Sequence, residues 1–550
     1  MTPRELLEAF ETLADAPDGV KRLRELVLHL AVHGKLVSQA PGDGDATIAV
    51  ADAQNNDSWR ISGRERCAAP ESERDASTAA LPLGWAKCRL GQITQLINGR
   101  AYSQPELLDT GTPVIRIQNL NGGERWYYSN LELSERQYCT TGDLLFAWSA
   151  SFGPYIWDGG RAIYHYHIWK LQLSPAVALR FMFYVLQHTT EAVRDQSHGL
   201  AMLHMTKAKM ESWPLLLPPL REQHRIVARV DELMGLLDRL EAARAVRDEV
   251  RRAARDAALA ALRDAEDTEA VEIAWARISG QMDALFNTPE DVVPLRQTIL
   301  QLAVRARLVP QDPFDEPGSL LAERLAQEKT NLHRGGLGPA PKPLDSIVTA
   351  PFSLPPSWTW VRADLACSQI VDCLHRTPPY VETGFPAIRT CDVEPGRILV
   401  DRALRVDEPT FREQTQRLLP REGDVLYSRE GGRFGIAAVV PQGVVLCLSQ
   451  RMMQLRCLDS IDPEYFSWFL NSPFGFGQAS ADVGGSASPH VNISSIRQFL
   501  FPLPPEREQR RISGQIKSMM ALCEDLEARL STARELQARF AAAAVHHLDV

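Results

Sequence analysis

Pro218-Pro219-Leu220-Arg221-Glu222-Gln223-His224-Arg225 opens a stretch that runs to about Asp267 almost without glycine or proline. Apolar residues fall at Ile226, Val230, Leu233, Leu237 and Leu240, in steps that alternate four and three. That repeat predicts a helix with a narrow apolar seam, the kind that packs along a second helix. Beyond Leu240 the alternation lapses. Arg244 and Arg247 take the next two places, and Ala243, Val246 and Val250 carry the apolar character onward at helical spacing. A helix from Leu220 to Asp267 would be about 70 Å long at roughly 1.5 Å per residue. A rod of that length with so narrow a seam needs a partner. Pro504-Pro505-Glu506-Arg507-Glu508-Gln509-Arg510-Arg511 opens one. Its seam is Ile512, Ile516, Met519, Cys523 and Leu526, each 286 residues after its counterpart, and it keeps register through Leu530 and Ala533.

Two matched rods raise the question of what else is matched. Residues 4–37 read as a helical hairpin, with Leu6, Leu7, Phe10 and Leu13 on one helix, turn chemistry at Asp15-Ala16-Pro17-Asp18-Gly19, and Leu23, Leu26, Val27, Leu30 and Ala31 on the next. Leu302 to Gln311 lies over Leu30 to Gln39 at a shift of 272 residues. Leu81-Pro82-Leu83-Gly84-Trp85 starts a globular pattern, and Leu354-Pro355-Pro356-Ser357-Trp358 restarts it 273 residues on. Thr383 to Arg389 repeats Thr110 to Arg116, and Gly423-Asp424-Val425-Leu426-Tyr427 echoes Gly142-Asp143-Leu144-Leu145-Phe146. Pro489 to Asn492 echoes Leu203 to Thr206.

The chain is therefore a duplication of hairpin, globule and rod, with a period of about 280 residues that is too long for a solenoid. The expected fold is α+β. Two similar mixed globules are joined by two long antiparallel coiled-coil helices, and the internal duplication has pseudo-twofold symmetry. The expected divisions are a hairpin at 1–38, a mobile linker rich in Ala, Asp, Ser, Gly and Asn at 39–80, and a globule at 81–217. A rod plus hairpin follows at 218–311, a linker with a short helix at 312–353, a second globule at 354–503 and a closing rod at 504–550. In the first globule, strands are expected at 114–117, 144–148 and 163–173, and a helix at 176–194.

Composition limits the chemistry. The 550 residues are 45% hydrophobic and 23% charged, with a formal net charge of −9 and a pI near 5.9. That is a multi-domain globular chain, and its acidity argues mildly against a protein that grips nucleic acid by bulk charge. Nine cysteines form no CxxC pair and no zinc-type cluster, and no apolar run reaches membrane-spanning length, so a reducing cytoplasm is expected. There is no GxGxxG after a strand, no GxxxxGK[ST], no GxSxG and no HExxH. His165-x-His167 would place two imidazoles on one face of a strand, but two ligands without a third do not make a metal site, and none is expected. Thr377-Pro378-Pro379-Tyr380 resembles the catalytic loop of amino-group methyltransferases, with Thr in place of the usual Asn, Asp or Ser and no glycine-rich cofactor loop beside it. A rigid Pro-Pro turn is the simpler reading.

Recognition chemistry is better supplied. The first globule offers Arg100, Tyr102, Arg116, Gln118, Asn119, Trp148, Ser149 and His204, with Asn121, Arg125, Trp126, Tyr127 and Tyr128 nearby. The second offers Arg376, Arg389, Arg429, Arg433 and His490, with His375 and Arg451, and has no lysine at all. Arginine grips guanine edges in bidentate fashion and Gln or Asn does so for adenine, at roughly 1–3 kcal/mol of discrimination per good pair. Arginine without lysine favours planar recognition over diffuse charge.

These residues in this order resemble the specificity subunits of type I restriction-modification systems. The resemblance rests on the Leu-Ala-Val-x-x-Lys/Arg-Leu-Val-x-Gln hairpin end and the Leu-Pro-x-x-Trp globule start. It also rests on Gly-Asp-Leu/Val-Leu-Phe/Tyr and on Leu-Pro-Pro-x-x-Glu-Gln-x-Arg-Ile, every motif being present twice, and on Gln311-Asp312-Pro313-Phe314-Asp315-Glu316-Pro317 after the second hairpin. Ala40 to Ala80 lacks that last match, and Ala306 stands where the first copy has Gly34. The resemblance implies that each globule is a target recognition domain reading one half of a bipartite, asymmetric site in double-stranded DNA. The rods would be spacers that also dock two modification subunits, which bind S-adenosylmethionine, and restriction subunits would join them. The chain itself would be non-catalytic. A scaffold with two protein-binding globules, and a stand-alone methyltransferase using Thr377 to Tyr380, are the alternatives.

Overall fold

The computed structural model describes residues 13–61, 81–149, 151–196, 205–340, 345–481 and 490–549. It divides into two compact units, residues 1–246 with 535–550, and residues 247–534.

The first unit begins with helix α1 (Gly19–Val32), whose Leu23, Leu26, Val27 and Leu30 are buried. The expected first hairpin helix lies mostly outside the described residues. The stretch expected to be a mobile linker holds a second helix, α2 (Ala46–Asn55). Asp45 caps it by accepting from Thr47 N, and Ala46, Val50 and Ala53 bury its inner face. Small residues at helical spacing were enough to dock it, which composition alone concealed.

The recognition domain that follows starts at β1 (Ala86–Arg89), which pairs antiparallel with its last strand, β10 (Pro214–Leu217). Between them lie two four-stranded sheets. One has the order β2 (Thr94–Asn98), β9 (Ile168–Leu173), β6 (Leu144–Ala147), β7 (Gly153–Ile156). The other has β4 (Tyr127–Ser129), β3 (Thr112–Ile115), β8 (Ala162–Tyr164), β5 (Tyr138–Cys139), with β3 and β8 parallel. The expected strand over 163–173 is thus two strands in different sheets. The chain turns at His165–His167, closed by Ile168 N donating to His165 O at 2.9 Å. Helix α3 (Leu179–Gln196) buries Phe181, Met182, Val185 and Leu186 against the first sheet.

Rod α4 (Leu220–Asp264) leaves the domain directly after β10. Ile226, Val230, Leu233 and Leu237 are all buried and Leu240 is half-buried. The first three pack into the core of the recognition domain, with Trp85, Phe181 and Leu217. Leu237 joins Leu23, Leu26 and Ala541, a residue near the end of the second rod. Beyond Leu240 the expectation that Val246 and Val250 carry the seam fails, because both are about 60% exposed (61% and 63%). Arginines hold the seam instead. Arg244 donates to Ala14 O at 2.7 Å; in the second unit Arg251 donates to Ala284 O at 3.2 Å and Arg255 pairs with Asp291. Leu259 and Leu262 then return it to apolar packing. The helical phase never breaks; only the chemistry of the face changes.

The second unit carries α5 (Thr268–Ser279), α6 (Val292–Val304) and α7 (Gly318–Arg334), which contains the short helix expected after the second hairpin. Its recognition domain opens and closes on β11 (Thr359–Arg362) paired with β21 (Leu500–Leu503). A four-stranded sheet has the order β12 (Cys367–Asp372), β20 (Met452–Cys457), β17 (Val425–Ser428), β18 (Ala437–Val439). β13 (Phe385–Ile388) lies between β16 (Leu404–Val406) and a parallel β19 (Cys447–Leu448), and β14 (Val393–Glu394) pairs with β15 (Arg397–Ile398). Helix α8 (Pro463–Asn471) leads toward α9 (Glu506–Asp549), the second rod. Ile512, Ile516, Met519, Cys523 and Leu526 are buried; Leu530 is half-buried and Ala533 exposed, so the seam ends one step early. Each unit combines the first part of one rod with the last part of the other, the arrangement an antiparallel pair requires.

The repeated motifs prove to be one device used twice. The indole of Trp85 donates to Glu222 Oε2 at 3.1 Å, and that of Trp358 to Glu508 Oε1 at 3.0 Å. Gln223 accepts from Ala178 N and donates to Ala176 O, while Gln509 accepts from Asp462 N, so each rod's glutamine fixes the segment leading into α3 or α8. Arg225 is bidentate to Asp43, and Arg511 pairs with Asp315 at 2.7 Å. Asp43 therefore supplies, from the stretch that lacked the Asp-Pro-x-Asp-Glu-Pro match, the carboxylate that the motif supplies in the second copy. Its hydrogen bonds from Arg225 hold its carboxyl at about 2. Burial pushes the Glu508 carboxyl up to about 7, and raises that of Glu222 too.

Candidate nucleic-acid interface

In the first recognition domain the loops after β2, β3, β6 and β8 converge. Arg100 N donates to Tyr164 O, His165 N to Ile115 O, Tyr166 N to Arg100 O and Trp148 N to His167 O, all within 2.9–3.1 Å. Four chain segments are thereby fixed side by side, which is how a rigid scaffold presents variable side chains.

Within this cluster Arg116 and Arg125 place their guanidinium carbons 5.3 and 5.2 Å from the centre of the Tyr127 ring. Among the described residues neither is paired with a carboxylate. Two cations on one half-buried aromatic ring suit phosphate or a base edge better than an internal salt bridge. Gln118 is exposed, and its Nε2 donates to Arg125 O. His165 is held down at about 4 by burial first and then by His167 and Arg116, so its imidazole is neutral at pH 7. The ring of Tyr166 stands beside both histidines and is 41% exposed.

Other candidates in this domain have internal work. Asn119 is buried, accepts from Arg116 N and donates to Gly123 O and Arg125 O, so it shapes the loop and has no group left for a base. Arg100 donates to Glu106 Oε1 at 2.6 Å. Tyr102 packs on Val114, Tyr138 and Ile163. Trp148 spends its indole N–H on Tyr166 O at 2.9 Å and stacks on Trp169. Ser149 sits half-buried beside it. His204 lies outside the described residues.

The second domain uses the same convergence with different chemistry. Ser449 N donates to Ile388 O, Arg429 N to Arg451 O and Val491 N to Arg429 O. Asp372 is the hub: it accepts from Arg429 at 3.2 Å and from Arg417, and lies 3.0 Å from His375 Nε2. Arg429 is buried (7% exposed), and its Nε has no hydrogen-bond partner. Arg451 is exposed, on a turn with a φ of 68°. Arg433 is exposed on the Gly431–Gly435 turn and donates to Val393 O. His490 is exposed and bridges Glu430. Arg389 is committed to Asp392 through two hydrogen bonds of 2.8 and 2.9 Å, and Arg376 to Glu413. Both therefore serve the loop frame. Arg417 was missed because it lies in no motif. Tyr380, from the segment weighed as a methyltransferase loop, packs against Ala387, Val406 and Cys447 and bonds Ser449 Oγ at 3.0 Å, as a rigid turn would.

The sequence reading assigned no metal site, yet the structure brings His29, His33 and His188 together with ligand atoms within 4.8 Å of one another. His29-x-x-x-His33 on a helix was the available sign. No helix of the described residues is long and apolar enough to cross a membrane.

A duplicated frame that holds two different loop sets defines a class of protein that reads two targets with one fold. Residues 82–246 and 405–533, more than half of the chain, match the family described as "Type I restriction modification DNA specificity domain". The chain belongs to this family, whose members are the non-catalytic sequence-recognising components of type I restriction-modification systems. It is 27% identical to the EcoAI specificity subunit of Escherichia coli, over 95% of this chain and 92% of that protein. It is also 27% identical to the EcoEI specificity subunit of the same organism, over 95% and 93%. Among solved structures, the HsdS subunit from Thermoanaerobacter tengcongensis aligns with 86% of this chain and 99% of its own at 18% identity, with a TM-score of 0.41.

Proposed function

We propose that each recognition domain reads one half of a split, asymmetric site in double-stranded DNA, and that the paired rods fix the separation of the halves. The observation that carries this is the double use of one frame. The Trp–Glu, Gln and Arg–Asp contacts repeat in both copies, while the loop side chains differ: Arg116 lies against the Tyr127 ring where its counterpart Arg389 is tied to Asp392, and the Asp372 hub with Arg429 and Arg417 stands where the first copy has Gly99. Matched contacts serve the scaffold; unmatched ones serve the target. Two readers joined rigidly pay orientational entropy together, so the second half-site binds at high effective concentration. Continuous α4, 45 residues and about 68 Å at 1.5 Å per residue, is stiff enough to leave the intervening bases unread.

The hairpins and rods would dock two modification subunits, with restriction subunits joining the assembly in the cytoplasm. S-adenosylmethionine would be held by the modification subunits and not by this chain. Those partners would supply phosphate contacts that an acidic chain lacks. The test is methylation-aware sequencing of host DNA with and without the gene, followed by exchange of residues 354–503 for another recognition domain. A split motif, with only one half changed by the exchange, is expected. Methylation without regard to sequence would overturn the reading.

A further inference from the structure

The end of α1 carries His29 and His33 one turn apart, and α3 brings His188 against them. The imidazole rings of His29 and His33 stack with centroids 4.1 Å apart. His188 meets them edge-on at 5.5 and 5.9 Å. Positions i and i+4 of a helix share a face, which is why two histidines at this spacing can ligate one ion. His33 Nδ1 lies 2.8 Å from His29 O, a bond in which the ring nitrogen must donate. That leaves Nε2 of the neutral ring as a lone pair, the state a metal needs, with the other nitrogen anchored to a backbone carbonyl.

Frame packing does not require these histidines. In the second copy of the hairpin, at the shift of 272, Gln301 and Arg305 occupy their positions, and Arg305 lies over the Phe352 ring. The flanking apolar residues Leu30 and Leu302 are buried in both copies. The histidines are thus particular to the first unit, and what they add is ligand chemistry.

We propose that His29, His33 and His188 form a three-imidazole site for a zinc ion that clamps α1 to α3 of the first recognition domain. Imidazole suits Zn²⁺, and three protein nitrogens with water in the fourth position complete a tetrahedron. At Zn–N distances of 2.0–2.1 Å the nitrogens stand about 3.3 Å apart. The present separations close to that by side-chain rotation at a site where His33 is exposed and the other two are half-buried.

The full chain, free of any affinity tag and stripped with chelator, is titrated with Zn²⁺ by calorimetry and with Co²⁺ by visible absorption. One equivalent per chain is expected, with the intense bands of tetrahedral cobalt and a rise in Tm of about 4 °C at saturating Zn²⁺. His33→Ala and His188→Ala should each weaken binding at least about tenfold while leaving the metal-free Tm unchanged. His33→Cys, which keeps a ligand, should bind. An absence of binding by the wild-type chain would overturn the proposal. So would undiminished binding by both alanine variants, which would move the ion to another place on the chain.

Discussion

The two recognition domains answer the same structural problem with opposite chemistries. In both, a parallel strand pair ends in loops that the second sheet's loops cross, and one backbone bond marks the equivalence. Trp148 N donates to His167 O in the first, and Arg429 N to Arg451 O in the second. At that shared crossing the first domain places aromatic rings, Trp148 stacked on Trp169 with Tyr166 and His167 beside it. The second places arginines around a carboxylate. An aromatic crossing is held by packing and leaves Arg116 and Arg125 uncommitted. An ionic crossing is held by Asp372, and the side chains proposed to read are partly those that form the scaffold. The second surface should therefore be the more brittle of the two.

That contrast can be broken most directly at Arg429. Arg429→Ala removes the buried arginine from the half-buried Asp372 hub, and losing a hydrogen bond to a charged group costs about 1.5–3 kcal/mol. Binding to DNA with an intact second half-site should fall roughly 100-fold, while discrimination at the first half-site stays as it was. Titration of oligonucleotides altered in one half at a time reads this, and a loss spread over both halves would contradict it. Arg116→Ala should cost less, about tenfold, because no carboxylate loses a partner. If Arg116 grips a phosphate the loss is uniform across sequences and the salt dependence flattens; if it reads a base, discrimination at one position relaxes.

A smaller effect sharpens the comparison at the matched locks. The Glu508 carboxyl lies at about 7 in the folded chain, against a little over 4 when unfolded. Between those values the folded state keeps a proton that the unfolded chain has released, so stability is fullest below the window and falls as pH rises through it. Glu508→Gln keeps the acceptor for Trp358 and abolishes the titration. It should unfold at a higher temperature than wild type at pH 8 and at nearly the same temperature at pH 4. Smallest of all is the hairpin end. Ala306 sits at a φ of 58° where Gly34 sits at 70°, each just past a helix whose carbonyl accepts from the next residue. Ala306→Gly should stabilise by about 0.5–1 kcal/mol in chemical denaturation. Gly34→Ala should destabilise, since its Cβ would come within 2.9 Å of Pro82 and 3.0 Å of Trp85.

The frame was legible in the sequence because its residues act through fixed spacing. The seam from Ile226 to Leu237, its copy from Ile512 to Leu526 and the Trp, Glu and Gln of each lock were all marked by repetition before any contact was known. The middle of α4 was not, since an arginine that reaches a carbonyl on another helix has no signature in a hydrophobic pattern. The proposed reading surface was legible only as a list of residue types. Arg389 and Arg429 look alike in the chain, yet one is tied to a carboxylate three residues on, while the other meets Asp372 from 57 residues away. Local partners such as Asn119 with Arg116 consume side chains that composition counts as available.

Strands β1 and β10, like β11 and β21, zip the first and last residues of each recognition domain together. Each domain thus departs from its hairpin and returns to its rod at a single point. In evolutionary terms that point is a socket. Whatever grows, shrinks or mutates between the two strands leaves the spacing of the rest of the chain untouched. A lineage could acquire a new half-target by exchanging one continuous gene segment, because the Trp–Glu lock lies just outside the strand pair and stays with the frame.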